Sequence, residues 1–157
     1  MIKVISKILE ILRMEDEIIN RVENSKLVQV SLDDFYPKGE RILFDIKDFL
    51  RDEIALIEKE FRAKLKETNW SEYEGEYVGV ICSADAIVPL WAFMLVASEL
   101  QPFAKKVVFG NKEDLEKAIF SDVLSEIDYT VYKDTTIIVK GCGKYPIPES
   151  VVVDFAR

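Results

Sequence analysis

Three short runs rich in apolar and β-branched residues dominate the second half of the chain: Tyr77–Ile81 (YVGVI), 105–109 (KKVVF) and 135–140 (TTIIVK). Two helix-spaced segments separate them. In 89–101 nearly every residue is apolar, and after Asn111 the residues Leu115, Ile119, Val123 and Ile127 recur every four positions. Strand, helix, strand, helix, strand predicts parallel strands joined by right-handed crossovers and covered by helices. The class expected is α/β: a single domain with a mixed or mostly parallel sheet of about five strands and helices packed on it.

The first half is more mixed. Ile5, Ile8, Leu9 and Leu12 follow helical spacing, and Ile19 and Val22 continue it. Met14 is followed by Glu15, Asp16 and Glu17, a suitable acidic first turn. Residues 1–13 then read as a helical N-terminal extension ahead of a domain over 14–157; a single longer helix is the alternative. Leu27, Val28 and Val30 suggest a short strand, and Ile42, Phe44 and Ile46 a half-buried one. A helix is expected with Ile54, Ile57, Phe61 and Leu65 on one face, and helix 89–101 is expected to be buried on more than one side. Residues 151–153 suit either helix or strand. No repeat, low-complexity tract or linker divides the 157 residues, a length sufficient for one core.

Composition removes whole classes of chemistry. The chain contains no histidine, which excludes Ser-His-Asp and Cys-His catalysis, Cys₂His₂ fingers and HExxH metalloproteases. A net charge of −8 argues against nucleic acid and anionic membranes as partners. Two cysteines are too few for a disulfide framework and suit a reducing cytoplasm. The N-terminal stretch lacks the solid apolar run of a secretory signal.

The candidate site rests on position. Cys82 and Cys142 each follow a predicted parallel strand and precede a short loop and a proline. Ligands of open α/β sheets bind outside the carboxyl ends of strands, so two parallel strands would place both thiols on one edge. Asp85 is a candidate oxygen ligand, and Gly141 and Gly143 would let backbone N–H groups approach an anion or cluster. Thiolates favour zinc, copper(I) or iron–sulfur species, but two cysteines supply half of a four-coordinate site. The ordinary reading is two small buried hydrophobes at strand ends. Asp33, Asp34, Asp45 and Asp48 form an acidic set without EF-hand spacing, so turn capping is expected of them. Trp70, Tyr73 and Tyr77 are expected to clamp the core. Neither a P-loop nor GxGxxG is present.

The stretches DDFYPKGERILFDIKDFL, YVGVICSADAIVPLWAFMLVASELQPFAKKVVFG and VKGCGKYPIPES resemble an uncharacterised family of Bacteroidetes-type bacteria, catalogued as a domain of unknown function. The likeness runs from about Met14 to the end, and CSADAIVP and KGCGKYPIP are its most specific segments. The resemblance implies an accessory role in iron–sulfur cluster assembly, beside whose genes such genes often sit, with iron–sulfur assembly proteins as partners. It also implies a longer C-terminal tail bearing a further cysteine, which with Cys82 and Cys142 would make a three-thiolate site, Asp85 or an exogenous ligand being the fourth. Two other functions remain open: a metal-free interaction module working as a homodimer or partner surface, and a small-molecule enzyme using Asp85 or Cys82 at the carboxyl edge.

Overall fold

A computed structural model describes residues 27–140 and 143–157. The expected N-terminal helix lies outside the described residues. Within them the elements run β1 (Leu27–Ser31), β2 (Arg41–Asp45), α1 (Glu58–Glu67), β3 (Tyr77–Ile81), α2 (Leu90–Leu100), β4 (Lys106–Phe109), α3 (Lys112–Glu126), β5 (Thr136–Lys140) and α4 (Glu149–Phe155). Short 3-10 turns follow β1 and β2 and precede β3 and β5.

The chain is an α/β domain in which every strand ladder is parallel. The five described strands divide into a three-stranded sheet, ordered β2-β3-β4, and a two-stranded sheet of β1 and β5. The division follows from α3. Leu115 and Ile119 face the three-stranded sheet, packing with Tyr77 and Val108. Phe120 and Leu124, one residue further round the helix at each turn, pack instead with Val30, Leu32, Val151 and Phe155. A helix apolar on two sides carries the chain from one sheet to the other, so β5 joins β1 instead of extending β4.

The central strand β3 is buried on both faces, as parallel strands under helices usually are. Val78 and Val80 join Phe44, Ile46, Phe61, Leu65, Trp70, Ala92, Val96 and Leu100 beneath α1 and α2. Gly79 faces the other way, where a Cβ would lie 2.7 Å from the Gly110 carbonyl oxygen. That missing side chain lets the turn into α3 cross directly over the strand. Asn111 caps the helix: its side chain accepts from the amides of Glu113 (2.8 Å) and Asp114 (3.2 Å), while Asp114 accepts from the Asn111 amide.

One expectation changes and two readings are sharpened. The second helix begins at Glu58, because Asp52 and Glu53 adopt positive φ in a turn that leaves Ile54 70% exposed. Residues 151–153 are helical, within α4. Along helix α2, Ala92, Val96 and Leu100 are sealed into the core and Trp91, Phe93 and Leu95 are half-buried, while Leu90 and Met94 are 80% and 69% exposed. The aromatic clamp forms as expected, with Trp70 ring-stacked on Phe44 and its indole N–H donating to the Leu65 carbonyl at 3.0 Å. No helix among the described residues is long and apolar enough to cross a membrane.

Candidate functional site

Three places hold the residues from which a site would be built. The first is the carboxyl edge of the three-stranded sheet. Cys82 follows β3, half-buried, its thiol 3.8 Å from the Ala84 carbonyl, and Asp85 is exposed in the same loop. The loop is tied to β2 by Asp45, which accepts from the Ser83 amide (3.0 Å), the Ser83 hydroxyl (2.5 Å) and the Lys47 amide (3.0 Å). Partial burial raises the Asp45 pKa, but these hydrogen bonds outweigh it and hold the carboxyl below its ordinary value.

The second place is the amino end of the same sheet, where it meets the two-stranded one. Arg41 and Glu116 form a buried ion pair with side chains 10% and 6% exposed, Nε to Oε1 at 2.8 Å. The remaining Arg41 nitrogens donate to Glu116 Oε2 and to the carbonyls of Pro37 and Gly39. The guanidinium also lies 4.1 Å and 4.8 Å from the ring centroids of Tyr36 and Tyr77. Tyr36 donates its hydroxyl to Glu116 at 2.6 Å and stacks on Tyr145 with ring centroids 3.9 Å apart. Burial, then the hydrogen bond to Glu116 and its charge, push the Tyr36 pKa up to about 12. A cavity of about 420 Å³ lined by Tyr36, Arg41, Glu116, Ile147 and Pro148 adjoins this cluster. Lys112 and Glu113 also line it; Arg41 and Glu116 are committed to each other, and Glu113 pairs with Lys117.

Gly143 lies beside this junction and settles what its loop binds there. The Asp33 carboxylate accepts from the amides of Lys144 (2.7 Å) and Tyr145 (3.3 Å), and a Cβ on Gly143 would collide with it. Two backbone donors just after Gly143 thus meet one of the chain's own carboxylates. Of the acidic set, Asp33 and Asp45 serve separate loops, and Asp48 is exposed, with its carbonyl accepting from Lys64.

Gly141 and Cys142 lie outside the described residues. Strand β5, which ends at Lys140, and the strand preceding Cys82 belong to different sheets. Cys82 follows the carboxyl end of β3, whereas Tyr145 lines a cavity with Arg41 and Glu76 at the amino ends of β2 and β3. A five-residue strand separates those ends by about 16 Å. Among the described residues, no three Cys, Asp or Glu gather to hold a metal ion.

The third place is the outer side of α2 and the edge strand β4. Leu90 and Met94, one turn apart, are exposed together with Ile87 (94%) and Phe109 (72%). Phe93 connects the helix to the strand by an edge-to-face contact with Phe109, ring centroids 5.1 Å apart. Between Tyr77 and Ser98 the only charged residue is Asp85. The sequence carries the signal for this face: a helix apolar all round, on a three-stranded sheet, has more apolar surface than one sheet covers.

Within the described residues the molecule is thus a small parallel α/β domain with a polar junction at one end and an exposed apolar face on one side. It belongs to the family described as protein of unknown function (DUF2480), whose model matches residues 16–157. No curated protein and no solved structure matches the chain.

Proposed function

We propose that this protein is an interaction module whose working surface is the α2–β4 face. The observation that carries the reading is the exposure of Ile87, Leu90, Met94 and Phe109, with Leu90 and Met94 one turn apart on α2 and Phe109 joined to that helix through Phe93. Exposed apolar side chains in this number reach the size that marks contact surfaces on soluble proteins. The polar groups elsewhere are occupied internally: no buried side-chain nitrogen or oxygen among the described residues lacks a partner. A role in iron–sulfur cluster assembly then enters as docking, with the described residues around Cys82 and Asp85 too few to ligate a metal on their own.

The test is a photo-crosslinking phenylalanine analogue at Ser98, an exposed position on α2, introduced in the host cell. Crosslinks that vanish when Met94→Lys is added support the reading, and a chain that captures nothing overturns it. Zinc and iron per purified chain are expected to be the same in Cys82→Ala as in the parent. Stoichiometric metal lost in that variant would replace docking by ligation.

A further inference from the structure

We infer that the occupant of the α2–β4 face is a second copy of this chain, related by a two-fold axis; the inference rests on the interaction reading above and names its partner. Area is the first argument. Ile87, Leu90, Met94 and Phe109 together present on the order of 500 Å² of apolar surface, near the upper limit for a soluble monomer. Adding the half-buried Phe93, Pro89 and Ala97 around them brings the face towards the roughly 800 Å² per partner of a stable interface.

Charge is the second. The chain carries −8 overall, yet residues 86–98, which supply Ile87, Leu90 and Met94, hold no charged residue; Asp85 and the exposed Glu99 flank them. Two copies can approach through this face without setting carboxylate against carboxylate at its centre. A contact across a two-fold axis brings the same patch to itself, so an apolar surface is complementary to its own copy without polar groups to choose a partner. Phe109 lies on β4, an outer strand of the three-stranded sheet, so nothing in that sheet stands between the patch and a neighbour.

The full 157-residue chain is expected to sediment at twice the mass of one chain at roughly 100 µM, and Met94→Lys to sediment as a monomer with an unchanged circular dichroism spectrum. Ile87→Ser, outside any helix, is the second variant and is expected to weaken the dimer at least tenfold. Mixing Met94→Lys with Met94→Glu should restore a dimer, because the two-fold axis brings the positions near each other. A monomeric parent chain overturns self-association. If the Ser98 crosslinker then captures a different protein in cells, the interaction reading stands without it. If it captures nothing, both fall.

Discussion

The polar junction and the apolar face sit on the same small sheet and are built on opposite terms. At the junction, Tyr36 with Arg41, then Tyr77, Glu116 and Tyr145, come from four segments far apart in sequence, and Arg41 and Glu116 neutralise each other. On the α2–β4 face, most of the surface comes from one short segment, and Leu90 and Met94 meet no core. The junction has the buried charges, raised tyrosine pKa and adjoining cavity that commonly point to catalysis, yet its interactions close upon themselves. The α2–β4 face instead offers exposed apolar side chains between Asp85 and Glu99, the surface we propose for binding. Here chemical richness marks the joint that fixes the two sheets, and plain apolar exposure marks the surface left for a partner.

The largest effect is expected from breaking the junction on one side only. Arg41→Ala strands Glu116 as a buried charge and should cost about 3–5 kcal/mol in urea unfolding. The double variant Arg41→Met, Glu116→Leu should recover most of that, since it removes both charges and keeps volume. If the double variant is as unstable as the single one, the pair is not what holds the junction.

Next in size is Gly79→Ala. Its Cβ would press on the Gly110 carbonyl, and backbone cannot step aside, so a loss of about 1–3 kcal/mol is expected in the same assay. Asp33→Asn tests the loop at the junction and should cost about 1 kcal/mol, because the Lys144 and Tyr145 amides lose a charged acceptor. Met94→Lys should stay within about 0.5 kcal/mol of the parent in unfolding free energy, while removing self-association. A large loss there would mean the side chain belongs to the core.

Titration separates the same two ends of the sheet. Tyr36 has its pKa raised to about 12, so its neutral form is favoured by the folded state. Its contribution is fully present below the ordinary tyrosine value near 10 and is lost as pH rises from there to about 12. Asp45 has the opposite sign: its lowered pKa supplies stability above the ordinary carboxylate range, lost as pH falls through the folded value. Stability profiles of Tyr36→Phe and Asp45→Asn should therefore diverge from the parent at opposite limits. A tyrosinate absorbance titration in which Tyr36→Phe removes no late-titrating component would contradict the account of the junction.

Much of the fold was legible in sequence because its signals are local. Strand runs, the Asn111 cap and the spacing of Leu115, Ile119 and Val123 each lie within a few residues, and the parallel α/β class follows from their order. The start of α1 was less legible, since the positive φ of Asp52 and Glu53 has no glycine to announce it. The division into two sheets was not legible: which strands share a sheet is a long-range matter that local pattern does not encode, and Cys142 lies outside the described residues.

The sequence by itself determined the alternation of strand and helix, the absence of histidine chemistry, the acidic charge and the surplus of apolar residues on α2. Tertiary structure decided that β5 pairs with β1, that Gly143 closes on Asp33, that Arg41 finds Glu116, and which side of α2 is left uncovered. The physical reason is range. Backbone preference and helical periodicity act over one or two turns, whereas pairing, burial and the satisfaction of buried charge depend on residues brought together from distant parts of the chain.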